Sequence, residues 1–348
     1  MTVPSTIPLT GRQRTLDFLA GKETDRPPFH PIIMRWAAQY AGVKYRDFCL
    51  DPQSKCRAMV KCAEDFGIDW VTVMSDPYAE ASAFGIQVEY PENELPRDAG
   101  HYDSVQALLA LQPYDATAHR RTAGRLAEIR EYRKMIGDRY FVVGWVEGPI
   151  AEYADLRGAS DAAFDFMDEP EAVGKVMDMI IEAAKRFITL QVEAGADCIG
   201  IGDAFGSQVG PELFRDLAFR REKALVDHIH SLGAKAKLHI CGNTSSILPD
   251  MIATGADIID VDHLVSSFTP FVHLLAPHQV FCGKADPVSV IQDGSRDQIA
   301  SVVEQDAEEA KGRCIVSAGC EITPGTTTET MQAFRQMALR AGSKGLRV

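Results

Sequence analysis

A chain of 348 residues, 46% hydrophobic and 24% charged, has the material for one large domain with a substantial buried core. Its net charge of −13 excludes a broad phosphate-binding face, because nucleic acid is repelled unless basic residues concentrate in a patch, and the sequence contains none. Eight scattered cysteines behind a start without the charged-then-apolar pattern of a leader argue against a disulfide framework and for the cytoplasm; no apolar run reaches the roughly 20 residues that span a bilayer.

In chain order, TGRQRTLDFLAGK (10–22) has helical spacing at Leu16, Phe18 and Leu19, with Gly21 as a stop, and PFHPII (28–33) reads as extended. Short apolar runs then recur at 69–74 (DWVTVM), 140–146 (YFVVGWV), 197–202 (DCIGIG), 235–240 (KAKLHI), 257–261 (DIIDV), 279–283 (QVFCG) and 313–319 (RCIVSAG). Longer stretches with helical spacing lie between them, such as 171–195 and 296–312. With PFHPII counted, about eight buried strands alternate with helices, the signature of parallel βα units. The expected fold is an α/β TIM (β/α)8 barrel over residues 1–348 as a single domain, with a mainly helical N-terminal extension at 1–66 placed to cover part of the barrel mouth. A doubly wound open sheet is the other architecture that fits the same alternation.

In a barrel of this kind the reactive groups sit just past the C-terminal ends of the strands. Asp76, Glu147, Asp203, His239, Cys241, Asp262, His263, Asp286 and Cys320 all occupy such exits. His239 and Cys241, one residue apart, face the same side if the strand pleat continues. With Cys320 from a later strand they form a soft N/S set suited to Zn²⁺, and Asp203 or Glu147 stands available for a fourth position. The competing reading is structural: free cysteine is a common small core residue, and a buried histidine can simply be hydrogen-bonded. No G-x-G-x-x-G, G-x-x-x-x-G-K-[ST], H-E-x-x-H or G-x-S-x-G motif occurs, and Gly200 and Gly202 read as close-packing positions.

The segments DRPPFHPIIMRWAAQY, MSDPYAEASAFGIQVEYPE, GWVEGPIAEYADLRG, GKADP and AGCEITPGTTTETMQAF resemble, in order and spacing, the uroporphyrinogen decarboxylase superfamily over nearly the whole chain. That resemblance implies one of two chemistries on a TIM barrel. One is cofactor-free decarboxylation of a tetrapyrrole; the other is zinc-dependent methyl transfer with a corrinoid, of the methylcobamide:coenzyme M type. Pro31, Met34 and Arg35 match the decarboxylase N-terminal stretch, but Gln39 stands where its second arginine belongs. A substrate rich in carboxylates would lack that cation. Cys320 replaces the histidine of the decarboxylase G-H-G, whereas His239, Cys241 and Cys320 match the H-x-C and G-C of the methyltransferase branch.

The resemblance therefore implies a Zn²⁺ methyltransferase moving a methyl group between a small thiol or methoxy compound and a corrinoid (methylcobalamin) supplied by a partner protein. It is also compatible with a homodimer. Asp76, Glu147 and Asp203 are the candidate catalytic carboxylates, Asp76 because it resembles the decarboxylase F-S-D; its plainer role is to cap a turn before Pro77. A metal-free carboxy-lyase is the alternative, and a corrinoid or tetrapyrrole chaperone using the same mouth is a third.

Overall fold

The computed structural model describes residues 9–341, so the first eight residues of the expected extension and the last seven of the chain lie outside it. The described strands, in chain order, are β1 (Trp70–Thr72), β2 (Val88–Glu89), β3 (Arg97–Asp98), β4 (Phe141–Glu147), β5 (Cys198–Gly202), β6 (Lys235–Ile240), β7 (Ile258–Val261), β8 (Val280–Cys282) and β9 (Cys314–Ile315). β2 and β3 form a small antiparallel ribbon. The other seven make one sheet in the order β1-β4-β5-β6-β7-β8-β9, with every neighbour parallel. Parallel neighbours require crossovers, and helices such as Arg120–Ile136, Pro170–Ala194, Arg220–Ser231 and Arg296–Glu309 supply them.

The sheet closes through PFHPII. On one side His30 N donates to Val316 O and Val316 N to Pro28 O, both at 2.9 Å; on the other Asp69 N donates to Phe29 O at 2.9 Å. Phe29 bridges Val316 and Ile32 bridges Glu321, both in parallel. Prolines 28 and 31 carry no N–H, which is why this stave makes isolated bridges instead of a continuous ladder. The result is a TIM-type α/β barrel whose eighth stave lies inside the segment expected to be a helical extension. Asp69 fastens it: Arg14 Nη1 and Arg26 Nη1 each donate to its carboxylate at 2.6 Å, and Phe29 N donates at 2.7 Å.

The barrel interior has two zones. At the N-terminal end Leu19 packs with Trp70, Phe141, Val143, Cys198, Ile258, Val280, Cys282 and Ile315, with Leu16 and Phe18 alongside, so helix Gly11–Leu19 seals the floor. Above that floor the inward positions become polar. Register carries one inward row from Glu147 through Gly202 and His239 to Asp260. Below it, Trp145 lies against Gly200 and Gly202, whose Cβ atoms would stand 2.3 and 2.6 Å from the indole ring. These two glycines are close-packing positions, and they leave room between β4 and β6.

Replacing Gly200 by Ala is expected to destabilise the chain by about 1–3 kcal/mol, because the added methyl must displace a packed ring. Urea unfolding of Gly200→Ala against the parent measures it, and an unchanged midpoint would mean that the indole has free space to move.

Candidate metal centre

β6 alternates so that Lys237 and His239 point into the barrel while Leu238 and Ile240 face the helices. Cys241 follows the strand, and Gly242, at φ 87°, turns the chain there while its N–H donates to Asp262 Oδ2 at 2.8 Å. Cys320 arrives after β9 behind Gly319, whose Cβ would lie 2.3 Å from His263 N; only a glycine allows the backbone this close. His239 Nε2 is then 3.2 Å from Cys241 Sγ, and Cys241 Sγ is 3.9 Å from Cys320 Sγ. All three ligand atoms lie within 4.8 Å of one another, and both cysteines are free thiols.

Asp260, fully buried on β7, sets the histidine. Its Oδ2 lies 3.0 Å from His239 Nδ1 and 2.6 Å from Lys237 Nζ, as ion-pair contacts without the alignment of strong hydrogen bonds. Lys237 also sits 5.6 Å over the Trp145 ring. Burial alone would push the imidazole pKa down, but Asp260 reverses this and leaves it raised to about 9. Burial likewise opposes ionisation of Asp260, yet Lys237 and His239 hold it well below the usual carboxylate range. Nδ1 faces Asp260, so Nε2 is the nitrogen presented to the sulfurs. The hydrogen bond from Cys241 holds the Cys320 thiol down at about 4 against burial, and Cys241 itself is correspondingly raised.

The carboxylates named from the sequence separate into distinct places. Asp203 follows an inward glycine, so it points outward; its Oδ1 accepts from Ala151 N at 2.6 Å and Oδ2 from Ile150 N at 3.5 Å, capping helix Pro149–Arg157. Burial raises it to about 6 even so, and it contributes no oxygen to the 4.8 Å group of His239, Cys241 and Cys320. Asp76 caps the turn: Oδ1 accepts from Tyr78 N at 3.2 Å, while Oδ2 accepts from Ser75 Oγ at 2.6 Å and from Arg121. Glu147 does face the interior, with Oε1 accepting from Trp145 Nε1 at 2.9 Å, but it contributes no oxygen to the 4.8 Å group. Burial and the neighbouring Glu80 and Asp155 drive it well above the ordinary value.

Asp260 and Lys237 lie inside strands and not at their exits, so the strand-exit pattern does not mark them. The available signal was an Asp inside IIDV and a Lys inside KAKLHI, opposite charges on successive apolar strands that are buried together only when paired. His228 and His230, on helix Arg220–Ser231, contact Thr189 Oγ1 at 2.9 Å and Asp257 Oδ2 at 2.8 Å.

Asp260→Asn is expected to weaken metal affinity about 10- to 100-fold through loss of the histidine's orienting partner; competition with a zinc chelator reads it. In the metal-free protein Cys320 remains a thiolate until pH falls through about 4. It should therefore be alkylated by iodoacetamide at pH 6, where an ordinary thiol is nearly inert, with Cys241 slower and zinc protecting both. Equal labelling of the two cysteines at pH 6 would contradict the shared-proton arrangement.

Residues 10–340 match the family profile of uroporphyrinogen decarboxylase (URO-D). A uroporphyrinogen decarboxylase of Synechococcus sp. (strain CC9902) is 25% identical over 333 residues, covering 90% of this chain and 92% of the relative. The methylcobamide:CoM methyltransferase MtbA of Methanosarcina acetivorans is 27% identical over 281 residues, covering 78% and 80%. In structure, a methyltransferase from Methanosarcina mazei superposes with a TM-score of 0.85 at 22% identity over 95% of this chain and 98% of its own, which shows the shared fold. The chain belongs to the uroporphyrinogen decarboxylase family.

Proposed function

We propose that this chain is a zinc-dependent methyltransferase that moves a methyl group between a small thiol or methoxy compound and the cobalt of a corrinoid carried by a partner protein. The observation that carries this reading is the His239, Cys241 and Cys320 group with its histidine oriented by Asp260. Two thiolate ligands at about 2.3 Å in a tetrahedral shell stand about 3.8 Å apart, and the two sulfurs here are 3.9 Å apart. The donor set, one imidazole and two thiolates, suits zinc and leaves one position for a substrate atom.

Zinc bound there would supply Lewis acidity, keeping a substrate thiol deprotonated near neutral pH. Asp260 keeps His239 in register, and the apolar floor below Trp145 excludes water from beneath the site. Glu147 is the carboxyl we assign to the substrate side. Asp203 and Asp76 act as positioning residues through the helix and turn that they cap. Kinship with MtbA of M. acetivorans supports the reading.

The metal-free carboxy-lyase is less well supported. Arg35 is engaged with Glu321, its Nε 3.7 Å away, and Gln39 is exposed on helix Arg35–Tyr40, so the cations that would hold a polycarboxylate are lacking there.

Elemental analysis should find about one zinc per chain, lost in Cys320→Ser. The zinc-loaded protein should then demethylate methylcobalamin in the presence of a small thiol, followed by the change in its visible absorption. A Cys320→Ser protein that keeps full zinc would overturn the ligand set.

A further inference from the structure

Beside the His–Cys–Cys group, the barrel mouth holds acidic groups whose charge is not balanced. Glu80 lies on helix Tyr78–Ala83, Glu147 closes β4, and Glu152 and Asp155 follow on helix Pro149–Arg157. Arg125 is the cation that faces them, and its guanidinium is already committed. Nη1 donates to Glu80 Oε2 at 2.8 Å and Trp145 O at 3.4 Å, and Nη2 to Asp76 O at 2.9 Å. Glu80 Oε1 accepts from Glu147 N at 3.0 Å.

Glu152 is different: at 1% exposure, neither carboxylate oxygen has a partner, and the same holds for Asp155 Oδ2 and the Tyr114 hydroxyl. Leaving buried carboxylates charged and unpaired is costly, so such a group takes up a proton or a cation, and strongly perturbed groups of this kind cluster at functional sites.

The cluster is too wide for a metal ion. Among the described residues, only His239, Cys241 and Cys320 bring three candidate ligand atoms within 4.8 Å of one another. A larger cation with several N–H donors suits it better, since an alkylammonium can bond to separate carboxylates at once. Register ties the two places together: Glu147 and His239 lie on the same inward row with only Gly202 between them. That is about 10 Å from backbone to backbone, and the Trp145 ring lies over Gly202 between the two side chains.

We propose that Glu147, Glu152 and Asp155 form a subsite for the alkylammonium end of the methyl substrate, so that this chain prefers a cationic thiol to an anionic one. The inference rests on the methyltransferase reading only for the group held at the opposite end, the sulfur at the metal. With no cation bound, burial and the neighbouring carboxylates, Glu80 foremost, drive Glu152 and Asp155 well up, so protons hold the place that the ammonium takes.

The test is calorimetric titration of the zinc-loaded protein with three two-carbon thiols that differ in terminal charge: cysteamine, 2-mercaptoethanol and 2-mercaptoethanesulfonate. Cysteamine is expected to bind at least about tenfold more tightly than mercaptoethanol, with the sulfonate weakest. Glu152→Gln should bring cysteamine and mercaptoethanol within about threefold of each other, with Asp155→Asn as the second variant if the first melts early. Ethylamine, which has no sulfur, should bind the metal-free protein and lose that binding in the same variant. Equal affinity for the three thiols, a preference for the sulfonate, or a folded variant that keeps the cysteamine preference would overturn the subsite. A protein that takes up no zinc but binds ethylamine through Glu152 would remove the metal reading and leave the subsite standing.

Discussion

A carboxylate with no access to water, set in the middle of an apolar strand, is tolerable only if its charge is answered on the spot. Asp260 meets that condition with Lys237 and His239, both from the adjacent strand. The arrangement fixes the relative register of β6 and β7, because a slip of one residue in either strand would turn its own charges outward and leave the opposite charge buried and unpaired. It also decides which imidazole nitrogen faces the sulfurs. The chemistry of the site is therefore tied to the integrity of the sheet, and neither can be altered without the other.

The rest of the barrel supports this node by contrast. Helix Gly11–Leu19 and the large side chains Trp70 and Phe141 fill the lower interior, so polar groups collect in the upper row alone. Trp145, one row below, spreads over two glycines of β5 and fills the space that side chains there would take between Glu147 and His239. The two arginines on Asp69 pin the proline-bearing stave, and an edge that could not form a full ladder becomes a closed wall.

The alternation of apolar runs with helical stretches was legible because strands of a parallel barrel are covered by helices on one side and core on the other, and so need no polar alternation. His239, Cys241 and Cys320 were legible because their type is unusual at strand exits. Orientation was less so. Asp203 and Glu147 both end apolar runs, and only the register shows that one turns outward to cap a helix while the other turns inward. Asp260 was passed over because it lies one pleat before the exit. The unpaired state of Glu152 has no sequence signature at all, since it depends on how two helices meet above the sheet.

Cys241, just past the end of β6, and Cys320, beyond β9, are separated by 79 positions. During synthesis His239 and Cys241 leave the ribosome well before Cys320 exists, and two donors hold a metal far less firmly than three. Cys320 reaches its place only when Gly319 has packed against the backbone of His263 and β9 has met the proline stave near the chain's beginning. The His239–Cys241–Cys320 group is thus completed last, by ring closure, and its geometry exists only once both ends of the barrel have joined.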